Sequence, residues 1–333
     1  MGRGRVMAHA PPFDCTRTYF RLLLPSTSSV SILLIENTLH GIQLGLLLFL
    51  LAAGLTLVFG IMDMVNLAHG SLYMLGAFFA VTLIKVTDSF VLGALLAFGA
   101  TLLFGILLER FVLRTLYARD HLDQVLATFG LILFFNKAVQ VIWGPAGLSI
   151  ALPPWLAQRI EILPGVPYPL YRLVITLVSL AVAGGLWFLI AQTRTGMLIR
   201  AGASNRRMVS ALGVDVKKLF TIVFGLGAGL AGLAGVMYAP ISTVFSGMGE
   251  EVLIQAFVVI VIGGIGSIRG AFVASIGLGL IDTLGRVFLV DICKLFMAAS
   301  AASTVGPALA SMLIYLIMAA VLVWRPTGLF GRS

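Results

Sequence analysis

Charged residues and cysteines are both scarce in this chain. Only 11% of its 333 residues are charged, whereas about a quarter of a soluble domain is charged. The two cysteines, Cys15 and Cys293, have no CxxC or CxxH neighbours, which excludes the common metal and redox motifs. The motifs GxxxxGK[ST], HExxH and GxSxG are also missing. We therefore expect no catalytic residue, no metal site and no cofactor bound by this chain itself.

Apolar residues take the place of the missing charges. They form 60% of the chain, and the mean hydropathy is +1.08. A spanning helix needs roughly 20 apolar residues. Runs of about this length cover residues 41–61, 64–86, 89–108, 125–143, 170–191, 219–239, 252–268, 270–290 and 306–324. The pattern predicts an all-α membrane protein, a polytopic helical bundle of about 8–9 membrane segments, some of them broken or re-entrant.

Positive charges are concentrated in the short connections between these runs. The formal net charge is +9, which in a soluble protein would suggest nucleic-acid binding. Here the positive-inside rule accounts for the charges, so we expect no nucleic-acid partner. The connection 192–218 is strongly basic and is predicted to be cytoplasmic. Its basic residues are Arg194, Arg200, Arg206, Arg207, Lys217 and Lys218.

The N-terminal end is where the topology stays open. Counting from the cytoplasmic connection, the loop 144–169 falls outside and the C-terminus falls inside. Nine full crossings place the N-terminus outside, whereas one re-entrant run near residues 41–86 places it inside. Residues 1–30 differ from the rest and are interpreted as a loose tail or as the product of a misassigned start codon. Residues 31–333 are predicted to form one transmembrane domain.

A polar stretch, DMVNLAHG, lies inside an apolar run. Asp63, Asn66, His69 and Gly70 are candidates for a substrate pathway, because polar groups at membrane depth are costly and suggest function. Asn66 and His69 are three residues apart and share a helical face, from which they could hydrogen-bond a zwitterionic substrate. The alternative is structural: the two side chains satisfy backbone groups around a helix break near Gly70.

A glycine block, VIGGIGSIRGA, separates two later apolar halves. Gly263, Gly264 and Gly266 are predicted to break the helix, because each glycine weakens it by about 1 kcal/mol. Transporters present helix ends to substrates at such breaks, so these glycines are also candidate pathway residues. The alternatives are close helix packing and a simple turn at the cytoplasmic side. The run GLGAGLAGLAG (225–235) predicts a helix-packing surface instead.

Within the cytoplasmic segment 193–214, residues 197–212 predict a short amphipathic helix. Apolar and small residues recur on one side of it: Met197, Leu198, Ala201, Asn205, Met208, Val209 and Leu212. Ser204 or Asn205 is a suitable N-cap, and Gly213 is a suitable C′ residue. The residues alone leave two interpretations open. The helix lies on the membrane surface with its arginines on anionic lipid, or it docks in a partner's groove.

Three blocks of sequence, in order, resemble the branched-chain amino-acid ABC permeases of the LivH type. LTLVFGIMDMVNLAHGSLYMLGA resembles their N-terminal signature. TRTGMLIRAGASNRRMVSALGV (193–214) resembles their cytoplasmic coupling segment, and AFVVIVIGGIGSIRGAFV (256–273) resembles their glycine block. The closing WRPTGLFG (324–331) also matches, so the resemblance covers residues 32–331.

The resemblance implies a permease subunit of an ABC importer in the bacterial cytoplasmic (inner) membrane, moving leucine, isoleucine and valine inward. It implies four kinds of neighbour: a second, LivM-like permease subunit, two ATP-binding subunits that use ATP and Mg, an external solute-binding protein, and membrane lipid. Segment 193–214 would then dock on the ATPase. The implied coupling residues are Arg200, Ala201, Ser204, Asn205, Met208, Leu212 and Gly213.

Three departures from the family pattern are present. Ser204 stands where the family usually has Glu, Arg269 where Pro is frequent, and Gln255 where some members have Lys. A related importer of urea or short-chain amides is the alternative within the class. An ion-coupled secondary transporter is the alternative outside it, and its only plausible intramembrane acids are Asp63 and Asp282.

Overall fold

The computed structural model describes residues 27–117 and 119–331, which form a helical bundle. Its α-helices are α1 (Thr27–Met62), α2 (His69–Thr87), α3 (Phe90–Phe111), α4 (His121–Trp143), α5 (Leu170–Gln192), α6 (Arg194–Ser204), α7 (Arg206–Ala211), α8 (Val216–Tyr238), α9 (Met248–Gly263), α10 (Ile268–Lys294) and α11 (Ala299–Trp324). Turns of 3-10 helix lie at Leu113–Leu116 and Ala239–Ile241. An antiparallel hairpin pairs β1 (Arg159–Leu163) with β2 (Val166–Pro169) before α5.

Eight helices of the described residues are long and apolar enough to cross a membrane. They are α1, α2, α3, α4, α5, α8, α10 and α11. Helix α9 has only 16 residues, so at 1.5 Å per residue it is about 24 Å long, shorter than a bilayer core of about 30 Å. The predicted all-α membrane bundle of about 8–9 segments, some of them broken, is confirmed.

Helices α1 and α8 form the centre of the bundle. The apolar stretches of these two helices are 83% and 78% buried, against 17% for those of α5 and α11. Helix α1 packs on α10 and α8, and α8 packs on α2 and α3. Small residues permit this approach: a Cβ atom at Gly54 would lie 2.6 Å from the carbonyl oxygen of Gly227, and one at Gly76 would lie 2.6 Å from the Cα atom of Gly232. The predicted packing surface over 225–235 is confirmed.

The two ends of the bundle can be told apart by their neighbours. The start of α1 packs near β2, whereas its last turns lie beside α6 and the glycine block, with Gly60 close to Gly266. The basic α6–α7 connection defines the cytoplasmic end. The Thr27 end of α1 therefore faces outward, as expected for nine crossings.

The helices depart from the apolar runs in three places. Run 64–86 begins in non-helical residues, because α1 ends at Met62 and α2 starts only at His69. Run 252–268 is interrupted where α9 ends at Gly263, so the predicted helix break at the glycine block is confirmed. Helix α1 begins at Thr27, so residue 31, the predicted start of the transmembrane domain, lies within it. Most of the predicted tail, residues 1–26, lies outside the described residues, as does the start-codon hypothesis.

Candidate functional site

The first helix break follows α1. Asp63 adopts the left-handed backbone conformation, with φ of +50°, and its N–H donates to the carbonyl of Phe59 at 3.0 Å. Its side chain is exposed at the cytoplasmic end of α1. The chain then turns back into the bundle without helical structure until His69. Asp63 therefore lies at the mouth of the break, while Asn66 and His69 lie inside the bundle.

Asn66 and His69 are fully buried and hydrogen-bond the backbone. The Asn66 Oδ1 atom accepts from the Ala68 N–H at 3.1 Å. The His69 Nε2 atom lies 3.3 Å from the Leu51 carbonyl and donates to it from α2 to α1. Asn66 Nδ2 and His69 Nδ1 have no hydrogen-bond partner among the described residues. This geometry fits the structural alternative for both side chains, and their place on a substrate pathway stays a prediction.

A second break precedes α9 and meets the first. The chain leaves α8 through the 3-10 turn Ala239–Ile241 and becomes helical again at Met248, after Gly247 at φ of +101°. The first turns of α2 and α9 touch at Gly70 and Gly249, where a Cβ atom on Gly249 would lie 2.7 Å from the Gly70 carbonyl carbon. Both helices thus begin at one point inside the bundle and run to opposite ends.

The second break also carries polar residues that the sequence analysis missed. Asn136 Nδ2 donates to Glu250 Oε1, and Gln140 Nε2 donates to Ser246 Oγ at 3.2 Å. The Ser246 hydroxyl in turn donates to the backbone carbonyl of Asn136 at 3.1 Å. The sequence did contain a signal for this break. The acidic pair Glu250–Glu251 directly follows Gly249 at the start of an apolar run.

The glycine block forms a turn at the cytoplasmic end. Gly264 and Gly266 have φ of +99° and +79°, a backbone region that favours glycine. The closing segment of the chain packs on this turn: the Leu329 N–H donates to the Ile262 carbonyl at 2.8 Å, and the Phe330 N–H donates to that of Gly263 at 3.1 Å. The three glycines therefore lie far from the meeting point of α2 and α9, and a pathway role for them stays a prediction.

The coupling segment contains two helices: the suggested N-cap at Asn205 begins the second of them, α7, and the residues before it form α6, which the single amphipathic pattern did not separate. Asn205 ends α6 and N-caps α7, because its Oδ1 atom accepts from the Met208 N–H at 3.0 Å. Thr193 caps α6 in the same way through the Gly196 N–H, at 3.0 Å. Gly213 has φ of +82°, which confirms it as the residue that terminates the segment. Asp215 then caps α8, and its hydrogen bonds to Lys218 lower the pKa of its carboxyl.

Part of the coupling segment is an exposed apolar surface. Met197, Met208 and Leu212 are 56%, 58% and 76% exposed, while Ile199 and Val209 face the bundle. Four other predicted coupling residues are also exposed: Arg200, Ser204, Asn205 and Gly213. Ala201 is half-buried. The Arg200 guanidinium donates to the Ile190 carbonyl and so ties α6 to the end of α5.

A buried ionic cluster joins the cytoplasmic ends of α3 and α8. Glu109 is fully buried and accepts from Arg114 at 3.0 Å, from the Tyr117 hydroxyl at 2.9 Å and from the Thr221 hydroxyl at 2.8 Å. Burial and the neighbouring Glu109 raise the pKa of the Tyr117 hydroxyl, so this group stays a donor. The hydrogen bond to Glu109 likewise raises the pKa of Arg114. No local sequence pattern indicates that these residues meet.

These features define a class of protein. A bundle of spanning helices with two breaks meeting inside it, and with short exposed helices on one side, belongs to a multi-pass membrane transport protein. Comparison with known proteins gives the family. The chain matches the branched-chain amino acid transport system / permease component family over residues 37–322, and it belongs to that family. It is a transport subunit rather than an enzyme.

Individual relatives cover nearly the whole chain. The high-affinity branched-chain amino acid transport system permease protein BraD of Pseudomonas aeruginosa is 30% identical over 90% of this chain and 96% of its own length. LivH of Salmonella typhimurium is 27% identical over the same shares, 90% and 96%. The ribose import permease protein RbsC of Escherichia coli is 24% identical over 78% of this chain and 81% of its own. No solved structure matches the chain.

Proposed function

We propose that this chain is a permease subunit of an ATP-driven importer that moves branched-chain amino acids inward across the bacterial cytoplasmic membrane. The observation that carries the proposal is the family match over residues 37–322, together with relatives named for this transport. The importer would contain a second, LivM-like permease subunit and two ATP-binding subunits, and an external solute-binding protein would deliver the cargo. ATP and Mg would be bound by the ATPase subunits, because this chain has no phosphate-binding loop.

The exposed apolar surface on α6 and α7 supports the ATPase contact. Met197, Met208 and Leu212 project from a cytoplasmic segment that has basic neighbours, and spaced apolar anchors are what a helix uses to dock in a protein groove. The rest of the segment is tied to the bundle through Ile199, Val209 and the hydrogen bond from Arg200 to α5. Movement of an attached ATPase would therefore be transmitted to the spanning helices.

Two other functions compete with this one. A urea or short-chain amide cargo is compatible with the same fold, and RbsC is named for ribose import, so relatives of this chain are named for more than one cargo class. An ion-coupled transporter is less well supported, because Asp282 is already paired with Arg286 at 2.8 Å. Asp63, its other candidate acid, lies exposed at the cytoplasmic end rather than inside the bundle.

Purification of the chain from its native membrane, with mass spectrometry of the proteins that accompany it, tests the proposal. Two ATPase chains, a second permease and vanadate-sensitive uptake of leucine in reconstituted vesicles are the expected results. A chain that purifies alone and whose uptake is abolished by a protonophore, with no effect of vanadate, would contradict the importer. Uptake of urea or an amide without leucine uptake would contradict the cargo only.

A further inference from the structure

The polar cluster between α4 and the second helix break consists of Asn136, Lys137, Gln140, Ser246 and Glu250. Its hydrogen bonds join two elements that are far apart in sequence, from Asn136 to Glu250 and from Gln140 to Ser246. The cluster lies among spanning helices, where polar side chains are costly and tend to serve function. The buried polar atoms of the cluster must satisfy one another or a ligand.

Two oxygen atoms of this cluster are left without a donor. Glu250 Oε2 and Asn136 Oδ1 are both buried, and neither has a hydrogen-bond partner among the described residues. A buried acceptor without a donor is destabilising, and a charged one is more so. The two atoms belong to side chains that hydrogen-bond each other, so they are near neighbours. The pair consequently provides two acceptors, one on a carboxylate, for a donor that the protein does not supply.

A primary ammonium group fits this requirement. It carries three N–H donors and the positive charge that compensates a buried carboxylate. A sugar hydroxyl or an amide N–H would supply a donor without the charge. The cluster therefore favours a cationic amine over a neutral ligand.

Lys137 is part of the same cluster but not a partner of the carboxylate. It follows Asn136 on α4, is exposed, and donates from Nζ to Gln140 Oε1 at 3.1 Å. Consecutive residues of a helix point in different directions, so this ammonium contacts Gln140 and leaves the two acceptors to another donor.

The packing of α4 allows the site to open. Only 22% of its apolar stretch is buried, and it packs weakly, against α2, among the described helices. Polar contacts attach α4 to both breaks. Asn136 donates to Glu250 at the second break. At the first break, the Thr128 hydroxyl accepts from the Leu67 N–H at 3.3 Å. Separation of α4 from the second break would expose the two acceptors.

We propose that Glu250 and Asn136 bind the α-ammonium group of a zwitterionic amino acid during its passage through this permease. The inference rests on the proposed importer function and adds to it a substrate class selected by the permease itself. It assigns the recognition to the second helix break, rather than to Asn66 and His69 at the first.

The test uses the complete transporter in vesicles, with the binding protein outside and ATP inside. Glu250→Gln keeps the shape of the side chain but removes its charge, so leucine uptake per assembled complex is expected to fall about tenfold or more. Co-purification of the ATPase subunits and ATP hydrolysis without leucine should stay at the wild-type level. Glu251→Gln removes the same charge one residue further along α9 and should change leucine uptake less than about twofold.

The outcomes separate this inference from the importer assignment. Normal leucine uptake by Glu250→Gln, alongside a wild type that transports leucine, would overturn the inference and leave the importer intact. A wild type that transports only urea or an amide would overturn the proposed cargo and this inference with it. If Glu250→Gln does not assemble, Asn136→Leu decides: a similar loss of leucine uptake per assembled complex supports the site, and normal uptake refutes it.

Discussion

A Cβ atom at Gly70 would lie 2.8 Å from the carbonyl carbon of Gly249, so α2 and α9 begin in direct backbone contact. The contact is reciprocal, since a Cβ atom at Gly249 would lie 2.7 Å from the carbonyl carbon of Gly70. No other residue type fits without moving one of the two helices. The positive ends of two helix dipoles are thereby held side by side inside the bundle, in the arrangement that broken transporter helices adopt.

Gly70→Ala is expected to destabilise the folded protein by about 1–3 kcal/mol, because the added methyl group overpacks a backbone contact. The measurement is the melting temperature of the detergent-purified protein. Gly277→Ala on α10 is the matched control, since a Cβ atom there meets nothing within 4 Å, and it should be neutral or slightly stabilising. Equal melting temperatures for the two variants would show that the two helices do not touch.

Local sequence patterns were sufficient for the parts of the fold that depend on neighbouring residues. The spanning runs, the N-cap at Asn205 and the terminating Gly213 could all be predicted, because apolar length, side-chain capping and left-handed backbone are local properties. The same local logic explains one omission. The amphipathic pattern over 197–212 does not reveal that the residues before the N-cap at Asn205 form a helix of their own, α6.

Contacts between distant segments could not be predicted in this way. Glu250 meets Asn136 across 114 residues, and Glu109 meets Thr221 across 112. Taken alone, each of these residues is an ordinary polar residue within an apolar run or near its end. Only the fold brings the partners together, so the polar cluster of the second break was missed although the first break was recognised.

His69→Leu tests the two interpretations of the first break. The variant loses the hydrogen bond to the Leu51 carbonyl and the packing of the imidazole ring. Its free energy of unfolding should therefore fall by about 1–2 kcal/mol. His69→Gln retains a terminal N–H donor and should recover part of that loss. Thermal stability and leucine uptake per folded complex are the two measurements. Wild-type stability in both variants, combined with a loss of uptake, would instead place His69 on the substrate pathway.

Leu212→Asp should release the ATPase subunits. The side chain is 76% exposed in this subunit, so a charge there perturbs the isolated bundle little. Burying that unpaired charge in a docking groove is unfavourable by about 3–5 kcal/mol. The measurement is the amount of ATPase that co-purifies with the tagged permease. Leu212→Met keeps an apolar anchor of similar volume and serves as the control. Undiminished ATPase in the Asp variant would favour the alternative in which this segment lies on the membrane surface.

Glu109→Gln should destabilise the cytoplasmic end of the bundle. The substitution removes the negative charge of the carboxylate. Glu109 Oε2 accepts from Arg114 Nη2 at 3.0 Å and from the Thr221 hydroxyl at 2.8 Å. Breaking a fully buried ion pair costs about 3–5 kcal/mol, but Arg114 is partly exposed, so we expect about 1–3 kcal/mol. Melting temperature is the measurement, and Arg110→Gln, an exposed neighbour, is the control.

The same cluster can be tested for its link between α3 and α8. Thr221 lies on the first turns of α8, directly after the coupling segment, and hydrogen-bonds Glu109 at the end of α3. In a double-mutant cycle, Glu109→Gln and Thr221→Val should therefore be less destabilising together than the sum of the two single effects, by about 0.5–1.5 kcal/mol. Strict additivity would mean that α3 and α8 are not coupled through these side chains. Movement of the coupling segment would then have to reach the bundle through Arg200, Ile199 and Val209 instead.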